Sequence, residues 1–278
     1  MNASEASVHR RSALRAGAGA ALTGALAAGC TDGHGAADTS TKTSAETPAD
    51  APGQATGKSD AGARPPVPRP APTPTRFPGQ PVQIEHGPRS RPRVALTFHG
   101  QGDPAIARAV LAEAERAHVR ITVLAVGSWL DEHPDMARRI LDGGHDLGNH
   151  TQSHVDISAM GEAAAYSEIT GCAQRLRRLT GSIGTWFRPS RSRHATPLVQ
   201  RLARRAGYPH VLSYDVDSLD FTSPGAAAVT RKIAGEIRNG SVVSLHFGYA
   251  DTVAALPVLL TEIDRRQLRA VTTTELLT

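Results

Sequence analysis

Arg93-Val94-Ala95-Leu96-Thr97-Phe98, running through His99 to Asp103-Pro104, is the stretch on which the fold turns. Six residues rich in β-branched and aromatic side chains form a strand, and Asp103-Pro104 is a helix N-cap with proline at the first helical position. Ile106, Val110, Ala114 and Ala117 then keep helical spacing. The same unit recurs downstream. Strands are expected at Ile121–Val126, His145–His150, Thr185–Arg188, His210–Asp217, Ser241–Phe247 and Leu268–Thr272, with helices between them. Strands alternating with helices of this length form parallel crossover units, and seven of them predict a distorted (β/α)7 barrel of parallel strands.

Such folds carry their chemistry at the C-terminal ends of the strands. His99 stands at the first of these ends with Asp103 close behind, and the third runs into Asn149-His150-Thr151-Gln152-Ser153-His154. Arg188 ends the fourth; Asp215, Asp217 and Asp220 end the fifth; His246 ends the sixth. Two imidazoles four residues apart on one side of a helical turn are close enough to grip one metal ion. The opposite ends, with Arg93, Arg120, His145, His210 and Ser241, are expected to form a solvated rim.

At these residues the chain resembles the polysaccharide deacetylase family (NodB-homology domain, carbohydrate esterase family 4). His150-Thr-Gln-Ser-His154 is similar to the family's histidine motif, which supplies two ligands to a divalent metal, usually zinc. Phe187-Arg188-Pro189 resembles the start of its arginine motif, Asp217-Ser-Leu-Asp-Phe221 its Asp-x-x-Asp-Trp, and Val243-Ser-Leu-His246 its last motif. The resemblance implies a hydrolase acting on carbon–nitrogen, non-peptide bonds, which removes acetyl groups from a cell-wall or extracellular polysaccharide (peptidoglycan, chitin-like or xylan-like). It implies His246 as the acid, Asp217 holding its ring, and Arg188 orienting the base.

The first motif departs from the family's Thr-Phe-Asp-Asp-Gly: here Thr97-Phe98-His99-Gly100 stands in its place. Three readings stay open. Asp103 joins His150 and His154 as third ligand while His99 is the base; or His99 itself ligates, completing a three-histidine site; or the domain holds glycan without cleaving it. Trp129, Trp186, Tyr214, Phe221 and Tyr249 are the aromatic candidates for a sugar platform in that last case.

Residues 1–30 have the layout of an export signal. His9-Arg10-Arg11-Ser12 resembles a twin-arginine start, Ala16–Ala28 is apolar but short, and Leu26-Ala-Ala-Gly-Cys30 resembles a lipobox. Residues 31–90 are rich in Ala, Thr, Ser and Pro and are expected to form a disordered linker, leaving 91–278 as the catalytic domain. A lipid at Cys30 is the one membrane attachment expected, placing the protein outside the cell, anchored or secreted. The formal charge of +5 includes Arg10, Arg11 and Arg15 of the signal, and no charge block or aromatic interleaving points to nucleic acid. With Cys30 and Cys172 the only cysteines there is no disulfide framework, and a monomer is expected.

Overall fold

A computed structural model describes residues 71–278. The strands are β1 (Gln83–Ile84), β2 (Arg93–Gly100), β3 (Thr122–Ala125), β4 (Asp146–Asn149), β5 (Val211–Leu212), β6 (Val216–Asp217), β7 (Val242–His246) and β8 (Arg269–Val271). Every pairing between them is parallel, with β2 central between β3 and β7, β4 beyond β3, and β6 beyond β7. Helices α1 (Pro104–Arg116), α2 (Gly127–Glu132), α3 (Asp135–Asp142), α4 (Glu162–Thr180), α5 (Pro197–Arg205), α6 (Ala226–Glu236), α7 (Ala250–Arg265) and α8 (Thr273–Leu277) accompany them. The result is the distorted barrel expected from the alternation.

Period-two alternation in β2 explains both of its faces. Val94, Leu96 and Phe98 pack outward into the main core with α1 and α7, while Ala95, Thr97 and His99 point into the barrel. Two expected strands shrink. Thr185–Arg188 survives as single bridges from Phe187 to Asn149 and to Val211, and His210–Asp217 breaks into β5 and β6. The distortion has a cause: the buried Arg188 guanidinium takes the carbonyls of Leu212 and Ser213, the residues at that break. Among the described residues no helix is long and apolar enough to cross a membrane.

The boundary expected at residue 91 is displaced. The signal and lipobox of 1–30, and the linker as far as residue 70, lie outside the described residues. From Phe77 onward, however, the chain is part of the domain. Phe77 is buried and stacks on Trp186 at 5.5 Å between ring centroids, Ile84 is buried, and β1 pairs with β5. His210 clamps this strap, accepting from the Phe77 N–H at 3.0 Å while its Nδ1 contacts the Pro81 carbonyl at 2.8 Å. Composition hid the strap because its two anchors, Phe77 and Ile84, sit singly among prolines and polar residues. The strap also corrects the solvated-rim expectation: His145, His210 and Ser241 are all buried.

Candidate metal and acid–base site

Parallel register brings distant histidines to one level. His99 of β2 lies opposite His246 of β7, and their rings stack with centroids 4.3 Å apart. Across β3, Ala125 is in register with Asn149, so the next residue, His150, reaches the same end of the barrel; its ring meets His99 edge-on at 4.3 Å. His150 and His154 do share one side, with ring centroids 4.9 Å apart, but no helical turn brings this about. The loop turns on left-handed residues, Thr151 at φ 68° and His154 at φ 52°. Buried Asn149 holds it: its amide donates to the Ile169 carbonyl and the Tyr208 hydroxyl, and its Oδ1 accepts from the Thr151 N–H at 2.8 Å. Left-handed geometry at two non-glycine residues is costly, and such strain is characteristic of functional loops.

His99, His150 and His154 each offer one ring nitrogen, all within 4.8 Å of one another. The His150 Nδ1–H donates to the Arg188 carbonyl at 3.0 Å, which fixes the tautomer and leaves Nε2 as its lone-pair nitrogen. That nitrogen lies 2.7 Å from His99 Nδ1, so His99 is the donor in this pair, and its own Nε2 accepts from Ser244 Oγ at 3.0 Å, with Arg188 Nη1 at 3.4 Å. Burial, and then the charges of neighbouring His and Arg groups, hold His99 and His150 well below the ordinary imidazole range. Burial, followed by the charge of Arg191, brings His154 down to about 4. Three imidazoles kept neutral, with a backbone carbonyl orienting one of them, suit a divalent cation that prefers nitrogen ligands, zinc above all.

Asp103 is not among these groups. It is exposed, and its Oδ1 accepts from the Ala105 N–H at 2.8 Å as the N-cap of α1, so the reading that made it a metal ligand fails. Gly102, at φ +99°, turns the chain away from the barrel just before it and packs directly on Gly248, where a Cβ would come within 2.7 Å of the Gly248 Cα. No side chain could stand at that crossing of the loops that follow His99 and His246.

Asp217 is also displaced from its expected role. The carboxylate behind His246 is Asp220, fully buried, whose Oδ1 meets His246 Nδ1 at 2.6 Å. Its Oδ2 accepts from the His246 N–H at 2.8 Å and the Thr252 hydroxyl at 2.6 Å. Asp217 instead takes the Leu219 N–H at 3.2 Å, with the Tyr214 hydroxyl at 3.4 Å, and lines the cleft. Leu219, left-handed at φ 56°, folds the chain back so that the second aspartate of the motif, not the first, lies under the histidine. Spacing along the chain could not show that reversal. Arg188 does lie beside His99, and burial lowers its pKa to about 10, leaving it a cation at neutral pH.

Asn149, Ser244, Asp220 and Thr252 are the site residues that sequence reasoning left without a role. Ser244 was visible only as a member of the last motif; in register with Thr97 and Asp217, it stands directly behind His99.

A family model described as polysaccharide deacetylase matches residues 86–211. The chain is 28% identical over 194 residues to a peptidoglycan-N-acetylglucosamine deacetylase of Bacillus cereus, covering 68% of this chain and 90% of that protein. It is 26% identical over 203 residues to peptidoglycan-N-acetylglucosamine deacetylase PgdA of Listeria monocytogenes, covering 72% of this chain but only 42% of the relative's length. In fold it is similar to a carbohydrate esterase family 4 pseudoenzyme of Bacillus anthracis, at a TM-score of 0.68 and 21% identity over 72% of this chain and 70% of that one. Motif order, barrel topology and these likenesses agree: residues 86–211 match the polysaccharide deacetylase family, and the described residues have a fold similar to its members.

Proposed function

We propose that this protein is a metal-dependent hydrolase that removes acetyl groups from a cell-wall glycan, with His99, His150 and His154 as the metal-holding set. The observation that carries the reading is the placement of three neutral imidazole nitrogens within 4.8 Å of one another at the mouth that also holds the His246–Asp220 pair. A divalent metal there would supply Lewis-acid polarisation of the acetyl carbonyl and a lowered pKa for attacking water.

The chain's own groups supply the proton transfers. Asp220 holds a proton on His246 Nδ1 and so leaves Nε2 facing the cleft with a lone pair. As water attacks the carbonyl carbon, Nε2 takes one of its protons; it then returns that proton to the sugar nitrogen as the C–N bond breaks, and the acetic acid formed gives up its remaining proton to leave as acetate. With a metal held, His99 would carry its proton on Nε2, donated to Ser244 Oγ, and offer Nδ1 as the ligand, which leaves it no lone pair for the base role. Arg188 props His99 from behind while bound to Thr97 Oγ1 at 2.9 Å. The proposal includes export of the chain by residues 1–30 and attachment through a lipid on Cys30.

The test is acetate release from peptidoglycan fragments and chito-oligosaccharides by the zinc-loaded full chain, with metal content measured alongside. A loaded protein that frees no acetate from any of them would defeat the reading. One observation favours a second reading, glycan binding without turnover: the 2.7 Å His99–His150 contact uses the nitrogen that a metal needs. That reading expects sugar binding that persists in a His150→Ala, His154→Ala double variant.

A further inference from the structure

The charge of the cleft departs from what a neutral glycan needs. Its volume is about 500 Å³, room for a sugar unit and its substituents. Two arginines line it, Arg191 and Arg193, against a single carboxylate, Asp217, among the described residues. With His99-Gly100 in place of two carboxylates, the metal-holding set is made of neutral imidazoles, so a divalent cation bound there keeps its full charge.

Both arginines are exposed at the rim, and neither pairs with a carboxylate among the described residues. Arg191 sits in a left-handed turn at φ 52°, next to buried Ser190, which is fixed by the Thr151 hydroxyl and the Val155 carbonyl. It lines the cleft together with His154 of the metal-holding set. Arg193 lies over the Tyr214 ring at 5.1 Å and donates Nε to the Tyr214 carbonyl at 3.2 Å and Nη2 to the Asp215 carbonyl at 3.4 Å. Those bonds orient the guanidinium and leave its Nη1 hydrogens for a ligand. An arginine without an anion, beside another oriented on an aromatic face, offers guanidinium donors suited to a carboxylate.

We infer that the cleft is built for an acidic glycan, with Arg191 and Arg193 binding a carboxylate carried by the sugar next to the acetyl group. This rests on the deacetylase reading for where the acetyl group lies, but binding alone tests it. The carboxylate could belong to a lactyl ether, as on muramic acid, or to a uronic acid. The full zinc-loaded chain is titrated calorimetrically with three probes: chitotetraose, a peptide-free peptidoglycan tetrasaccharide and an acetylated glucuronoxylan oligosaccharide.

At about 0.05 M salt at least one acidic probe binds roughly tenfold tighter than chitotetraose, and at about 0.5 M that advantage largely disappears. Which acidic probe gains identifies the source of the carboxylate. The R191Q/R193Q double variant, with an unchanged melting temperature, binds the preferred acidic probe no better than chitotetraose and binds chitotetraose as before. Equal affinity for all probes, a preference that ignores salt, a preference that survives in the double variant, or no binding of any probe overturns the inference. Acetate is measured separately. A salt-sensitive acidic preference without acetate from any probe sinks the deacetylase reading and leaves the recognition site standing.

Discussion

Exchanging Asp220 for asparagine tests which carboxylate serves His246. The buried Asp220 carboxylate accepts three hydrogen bonds, at 2.6 Å from His246 Nδ1, 2.8 Å from the His246 N–H and 2.6 Å from Thr252 Oγ1. Each bond to an ionised acceptor contributes about 1.5–3 kcal/mol. Asparagine retains one acceptor oxygen, and the Thr252 hydroxyl can rotate to accept from the new amide. Where the amide nitrogen lies opposite His246 Nδ1 the ring proton has to move to Nε2, and where it takes the other position the His246 backbone N–H is left facing an N–H; in both cases the charge of the acceptor is lost. The net cost is about 2–4 kcal/mol, which for a domain of this size lowers Tm by roughly 5–15 °C.

The same change reverses the His246 tautomer, because an amide N–H opposite Nδ1 forces the ring proton to Nε2. Acetate release then falls on the order of 10²–10⁴-fold. Nitrogen-15 NMR of the histidine rings reads the tautomer directly, which a merely structural role for Asp220 would leave alone. Asp217→Asn is the paired control. Asp217 makes one local turn bond at 3.2 Å and a long contact at 3.4 Å, so its exchange costs less than about 1 kcal/mol and leaves the tautomer intact. A larger loss of stability or a tautomer change in Asp217→Asn, with Asp220→Asn close to wild type, would refute the assignment.

Three further outcomes are expected. Metal analysis should show His150→Ala and His154→Ala without bound zinc and His99→Ala with weakened retention, whereas Asp103→Ala keeps its metal and loses about 0.5–2 kcal/mol of stability as a lost helix cap. Burial holds His145 and His154 at about 4, below the unfolded value near 6.5. The unfolded chain therefore takes up protons first on acidification, so denaturant titrations should show stability falling from about pH 6.5 to about pH 4; the buried Asp146 carboxyl, raised by burial, opposes part of this trend. Phe77→Ala should cost about 2–4 kcal/mol in thermal or chemical melts through loss of its stack on Trp186, whereas a free linker at that position would show no change.

The barrel was legible because its strand–helix alternation is repeated along the chain, with a capping residue in place at Asp103-Pro104. The histidines were legible because short motifs at strand ends keep their order. What failed was whatever depends on the path of a few left-handed residues. Leu219 decides whether Asp217 or Asp220 reaches His246, and Gly102 decides that Asp103 turns away to cap a helix. Neither choice has a periodic signature. The strap from Phe77 to Ile84 failed for a different reason: isolated apolar residues in a proline-rich segment carry no pattern, and their partners, Trp186 and β5, lie more than a hundred residues away.

The strap also settles by which side the chain enters its barrel. Pro72 is tied to Ser182 Oγ at 2.7 Å, and Ala71 and Pro72 border a hollow with Arg120, His145 and Thr272, beneath the floor that Phe77 helps to plug. The described chain thus begins at the closed underside, while the histidine mouth opens on the far rim. A ligand lying across that mouth therefore does not meet the strap.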